Sequence, residues 1–340
     1  MQEKTTFAQL GHIEAVRQLM EESGFRPVPE PLRVKARAGD QVVNADRTLL
    51  EGIDFDLVYF PLKHLGYKAV LAPTGELYAA LARPRTLRVT LGISAKLDFS
   101  AIRELWSGVC AAAREHGYEQ ISLHLQASQN GLCLHLSACG ILSKLTAARL
   151  PKPESKDLLC VSGSLGAALL GLRLLEREKR SFEQGTGERR EELERYRMLV
   201  AAYLKPELPA GIVEQLEEAQ ILPSCACFVT DGLADALLRL RRRSGLGAKV
   251  YADRIPFEGN SFALGKELGL DPVSAAMNGG EDHRLLLAIP ILSYEKFRKD
   301  FQTFDIIGHL AQPDAGCVLV TPDGIEHAVS APGWNTAENA

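Results

Sequence analysis

The chain has 340 residues, 46% hydrophobic and 24% charged, which excludes disordered and fibrous classes and leaves room for two globular domains. A formal charge of −4 and a pI near 6.1 provide no basic surface of the kind nucleic acid requires, so no nucleic-acid partner is expected. The opening MQEKTTFAQLGHIEAV has acidic residues and no long apolar run, and the seven cysteines lack paired spacing; reduced thiols, a cytoplasmic location and no membrane span are expected.

In chain order, apolar residues recur at helical spacing from Phe7 to Met20, and Gly24 with the prolines beyond it ends that helix. Asp40 to Asn44 reads as a short strand. Pro61 opens a helical stretch to Leu81, and Pro73 and Gly75 predict a break near its middle. A strand Leu87–Leu91, a helix Phe99–His116 and strands Gln120–Leu125 and Leu132–Leu136 follow, with Asn130-Gly131 as a hairpin signal between the last two. The charged, proline-bearing PKPESKD after Leu150 marks a domain boundary.

Beyond the boundary, strand Leu158–Ser162 runs through GSLG into helix Ala167–Arg180, and polar SFEQGTGERREE leads to helix Leu193–Leu204. Strand Ala226–Val229 ends at Thr230-Asp231-Gly232, where helix Leu233–Arg243 departs. Strand Leu285–Ile289, helix Tyr294–Phe301, strand Asp305–His309 and the hairpin CVLVT-PDG-IEHAV close the chain. The alternation predicts an α/β fold of layered helices and sheets in two domains, the second a mixed α/β sheet domain.

Two strand-to-helix junctions, GSLG at 163–166 and TDGL at 230–233, suit phosphate or metal chemistry because helix amino termini offer free N–H donors. AMNGGED at 276–282 places two glycines before two carboxylates, and glycine lets backbone approach a ligand. These segments, with LLEGIDFDLVYFPLKHLGYKA at 49–69, LLCVSGSLGAALLGLRLLEREK at 158–179, YLKPE at 203–207 and PGWN at 332–335, resemble the thiamine-monophosphate kinase family of the aminoimidazole ribonucleotide synthetase superfamily. The resemblance implies an amino-terminal domain over 1–149 that binds nucleotide and pairs its sheet with a copy in a homodimer, and a carboxy-terminal α/β domain over 150–340. It also implies ATP-dependent phosphorylation of thiamine monophosphate to thiamine diphosphate, with ATP and Mg²⁺ as cofactors.

Carried onto this chain, the resemblance assigns metal-ligand positions to Asp40, Asp46, Glu76 and Asp231. It assigns nucleotide positions to Trp106, His124, Arg149 and Thr230, and substrate positions to Asp54, Glu281 and Trp334. Several family acids are replaced. The paired aspartates after a glycine become Asp40-Gln41, and the threonine-aspartate pair falls on Asp46-Arg47, or on Ala45-Asp46 with a one-residue insertion. The glycine-glycine-aspartate element lands on Ser122-Leu123-His124, and the acid three residues before Asp231 is Phe228. Four acids replaced by Gln41, Arg47, His124 and Phe228 shift the local charge by about five units, where one unit at 4 Å is worth about 4 kcal/mol at an effective dielectric near 20. The alignment that rescues Asp46 leaves about three units.

Weak or lost kinase activity is therefore expected. The alternative is a catalytically silent relative that binds a nucleotide or another small phosphorylated ligand without metal, with Arg47 and His124 as its anion-binding side chains. Elsewhere bland readings prevail. Cys225 and Cys227 read as buried thiols, His124 and His135 as a packing pair on neighbouring strands, and the run Arg239, Arg241, Arg242, Arg243 as a solvated helix end.

Overall fold

The computed structural model describes residues 7–26, 31–185 and 190–331. It separates into two compact units, the first containing the residues up to Arg149 together with Leu204–Glu217, the second Leu150–Tyr203 with the residues from Glu218 onward. The sequence reading had assigned 204–217 to the second domain. Charge holds this segment to the first: Arg83 pairs with Glu214 at 3.2 Å and with Glu217, to which the Thr146 hydroxyl also donates.

The first unit is built on strands β1 (Gln41–Leu50), β2 (Arg83–Ser94), β3 (Gln120–Ser128) and β4 (Cys133–Leu142), in the order β1-β4-β2-β3. Its main helices are α1 (His12–Glu22), α2 (Leu62–Ala79) and α3 (Phe99–Glu115). Strand alternation sorts the side chains. The row Leu49, Leu134, Leu91, Leu125 lies in register across the sheet and is buried, while the neighbouring row Thr48, His135, Thr90, His124 faces the other way. The open face is thus polar along this row.

Three expectations are corrected here. β1 starts at Gln41 and runs six residues past its expected end at Asn44, to Leu50. β3 and β4 form no hairpin, because β2 lies between them; Glu51 instead pins the connecting turn by accepting from Leu132 N at 2.6 Å. His124 and His135 are accordingly not on adjacent strands, and each flanks Thr90. Finally, α2 continues unbroken through Pro73. The proline removes one N–H donor, but α2 is buried along most of its length and packs on α3 backbone to backbone. A Cβ on Gly66 would lie 2.0 Å from Leu105 O, and one on Gly108 1.9 Å from Lys63 O. That reciprocal contact leaves no room for a kink to relax and requires glycine on both helices.

The second unit carries β5 (Leu158–Val161), β6 (Cys225–Val229), β7 (Gly247–Tyr251), β8 (Arg284–Ile289), β9 (Asp305–Ala311), β10 (Cys317–Val320) and β11 (Glu326–Ala328). They form one mixed sheet in the order β11-β10-β7-β9-β5-β8-β6. Helices α4 (Ala167–Glu183), α5 (Leu233–Ser244) and α6 (Pro272–Asn278) belong to this unit. Leu159, Val161, Val229, Leu237, Leu240, Val250 and Leu286 are part of its fully buried core. Arg241, Arg242 and Arg243 are exposed at the end of α5, as expected of a solvated helix end, but two of the four arginines also bond to backbone. Arg239 donates to Phe228 O, and Arg243 to Ala226 O at 3.0 Å, so both return to the outer strand β6. Cys227 is buried and Cys225 half-buried, and both are free thiols.

Candidate functional site

Three loops meet at one end of the second sheet because β5 and β6 both run antiparallel to β8. The GSLG loop leaves β5, the TDG turn leaves β6, and Gly279–His283 enters β8. Their contact is made by backbone. Glu281 N donates to Thr230 O at 2.6 Å, and a Cβ on Gly232 would sit 2.5 Å from Met277 O. Only glycine permits that approach, and Gly232 also has φ +97°.

Asp282 is the centre of this arrangement. It is 3% exposed, and its carboxylate accepts from Gly166 N at 2.8 Å and Ala168 N at 3.2 Å, capping α4 from a distant loop. Burial pushes its carboxyl up to about 6, against the pull of the two N–H bonds and Arg284. Glu281 and His283 flank it at φ 63° and 53°, left-handed values that non-glycine residues adopt at a cost and that cluster at functional sites. Two of the amino-terminal donors of α4 expected to serve a phosphate, Gly166 N and Ala168 N, are therefore already engaged. Asp231 is exposed at the turn and accepts from the Thr230 hydroxyl at 2.9 Å, while Glu281 is half-buried beside it in the same loop cluster. Phe228 is 0% exposed and sets its ring edge-on to His283 at 5.7 Å, so an aromatic pair fills the place expected for an acid.

In the first unit the assigned residues scatter. Asp40 accepts from Arg37 N and Lys144 N, both at 3.0 Å, and the Lys144 bond above all holds its carboxyl below the usual range. Asp54 accepts from Leu50 N at 2.7 Å within its own turn. Glu76 is half-buried on α2, and Arg149 is exposed at the end of the short helix Lys144–Arg149. Trp106 is corrected: it is 2% exposed and donates Nε1–H to Leu19 O at 2.8 Å, a core residue beneath α1 with no face for a nucleotide. Arg47 and His124 are also parted. Arg47 is in register with Leu136 on the helix-covered side of β1, whereas His124 is exposed on the open side of β3, at the opposite sheet edge. Trp334 lies outside the described residues.

These positions do not fit a divalent cation within either unit. Asp46 and His124 are three strand spacings apart, roughly 14 Å at about 4.8 Å per strand. Among the described residues no three His, Cys, Asp or Glu side chains converge, and Mg²⁺ demands near-octahedral oxygen ligation.

A cavity of about 790 Å³ does open in the first unit. It lies between Phe7 and His12, the connection Ile93–Asp98 and the end of β3 from Leu125 to Gln129. Its walls are largely apolar with a few polar side chains, the usual character of a small-molecule site. Its edge is marked by His12, whose ring meets His124 edge-on at 5.8 Å. Sequence reasoning missed His12, Lys96 and Arg284, none of which lies in a motif.

No family model matches the chain. A thiamine-monophosphate kinase from Aquifex aeolicus is 25% identical over 246 residues, 71% of this chain and 74% of that protein. Another, from Synechococcus elongatus, is 26% identical over 256 residues, 74% and 73% respectively. The solved complex of AaThiL with AMPPCP and TMP shares the fold, with a TM-score of 0.68 at 20% identity over 94% of this chain and 98% of that one. The family resemblance and the α/β fold read from the sequence are borne out. Among the described residues no helix is long and apolar enough to cross a membrane.

Proposed function

We propose, from its similarity to the thiamine-monophosphate kinases, that this chain is an ATP-using thiamine-phosphate kinase of reduced activity. The observation that carries the reading is the likeness over nearly three quarters of the chain to two such kinases. The junction of GSLG, TDG and GGED at one sheet end supports it, and Asp231 and Glu281 in that cluster are assigned to position phosphate and substrate. The adenine nucleotide is assigned to the cavity of the first unit, whose residues make up the nucleotide-binding and dimerisation domain. Homodimerisation follows from the same logic. Since Asp46 and His124 occupy opposite edges of one sheet, a second copy is the simplest way for β1 and β3 residues to serve one site.

Reduced rather than full activity follows from Phe228 and His124, which supply no carboxylate where phosphoryl transfer needs its charge neutralised. Purified protein incubated with ATP, Mg²⁺ and thiamine monophosphate, with thiamine diphosphate quantified by chromatography, is expected to turn over well below the roughly 1–100 s⁻¹ of ordinary kinases. Turnover inside that range overturns the reduced site. Failure to bind either ATP or thiamine monophosphate overturns the kinase reading itself.

A further inference from the structure

We propose that Phe262, backed by Phe257, is the platform on which the positively charged thiazolium ring of the substrate stacks; this rests on the kinase reading above. The topology of the second sheet brings the pair to the loop cluster. β9 runs antiparallel to β5, and β7 antiparallel to β9, so β5 and β7 point the same way. The segment after β7 therefore leaves the sheet at the end where GSLG, TDG and GGED meet. There Pro256 O accepts from Leu165 N at 2.9 Å, while the next N–H of the same loop, on Gly166, is held by Asp282. Phe257 and Glu281 are thus each one residue away from a group bonded to that loop.

Phe262 is 58% exposed, and its ring meets that of Phe257 edge to face at 5.1 Å. Both rings are anchored. Phe257 packs against the main core of the unit. Leu264, two residues beyond Phe262 on the helix Ser261–Leu268, is buried in a cluster with Leu170 and Leu174 of α4. An aromatic ring held in place yet open to water offers a flat apolar face with little ordering cost on binding. Charge selects the occupant. From Pro256 to Phe262 the chain carries one acid, Glu258, and no base, and the flanking Arg254 and Lys266 are exposed to solvent. That segment suits a cation rather than a phosphate, and the negative face of a phenyl ring attracts a cation stacked on it. Thiamine monophosphate joins a thiazolium cation to a phosphate, so its two ends suit the rings and the loop cluster respectively.

The test is calorimetric titration of thiamine monophosphate, thiamine and ATP, each with Mg²⁺, into wild-type protein and three variants. Phe262→Leu keeps an apolar side chain and removes the ring, Phe262→Ala removes both, and Phe262→Tyr keeps the ring. The position is exposed, and circular dichroism checks that each variant folds. Phe262→Leu and Phe262→Ala are expected to weaken thiamine monophosphate and thiamine by the same factor, about tenfold, and to leave ATP unchanged. Phe262→Tyr is expected to bind all three as wild type does. Wild-type affinity for thiamine monophosphate in Phe262→Leu, or an equal loss for ATP, overturns the inference and leaves the kinase reading standing. Wild-type protein that fails to bind thiamine monophosphate overturns the kinase reading and the inference with it.

Discussion

Asp282→Asn tests which force governs the loop cluster of the second unit. The carboxyl is buried, and its folded value near 6 stands about two units above the ordinary 3.8. At about 1.4 kcal/mol per unit, that difference amounts to roughly 3 kcal/mol. The sign follows from proton counting. Between pH 3.8 and 6 the folded chain holds a proton that the unfolded chain has released, so stability is lost as pH rises through this window and is level above it. Asparagine does not titrate and escapes the loss. It keeps one acceptor for Gly166 N or Ala168 N and gives up the other, at about 1 kcal/mol for a weakened cap. Relative to wild type, the variant should gain about 3 kcal/mol between pH 3.5 and pH 7 and emerge modestly more stable at neutrality. Urea unfolding at both pH values measures this directly. A variant that loses ground as pH rises would refute the reasoning, showing that the two N–H donors and the positive end of α4 outweigh desolvation.

His116 works in the reverse sense: it is 3% exposed, its Nδ1 meets the Tyr78 hydroxyl at 3.0 Å, its Nε2 has no partner, and burial holds it down to about 4. Stability should fall by about 3 kcal/mol as pH drops from 6.5 to 4, and His116→Gln should flatten that limb in acid unfolding curves; parallel curves would contradict it. Gly108→Ala forces a methyl group onto Lys63 O at 1.9 Å, and a loss of about 3 kcal/mol or more in thermal unfolding is expected. Phe228→Asp, which restores the family acid by sequence, places a carboxylate in a core without water and should lower the melting temperature sharply rather than raise kinase turnover. His124→Asp, on an exposed strand position, should fold normally by circular dichroism.

Much of the fold is legible in the sequence because its signals are local. The hairpin at Pro322-Asp323-Gly324 and the α4 and α5 starts each follow from turn and cap chemistry within a few residues. The errors are non-local. Asn130-Gly131 carries a good turn signal, yet no residue there reveals that β2 will be inserted between the strands it joins. In QVVNADRTLL the apolar residues come in pairs rather than alternating, which hid half of β1. Glycine beside Pro73 reads as a break only until Gly66 and Gly108 are seen in contact.

The site was less legible than the fold. GSLG, TDG and GGED stand out one by one in the sequence, but only the fold shows that they meet, and their chemistry depends on who bonds to whom. Two of the free donors expected at α4 are taken by Asp282, a residue 116 positions from Gly166. Arg47 and His124, joined by alignment into one anion site, are separated by strand register, which no motif encodes.

The arginines of α5 have a consequence beyond their own helix. β6 ends the seven-stranded sheet, and an outermost strand ordinarily displays carbonyl groups on which a foreign strand can add itself. Here two of those acceptors, on Ala226 and Phe228, are already taken by Arg243 and Arg239. A chain seeking to zip onto this border would have to displace two charged donors before making its first backbone bond. The border is thereby closed to sheet growth, and a segment as apolar as CACFV can occupy it without becoming a template for aggregation.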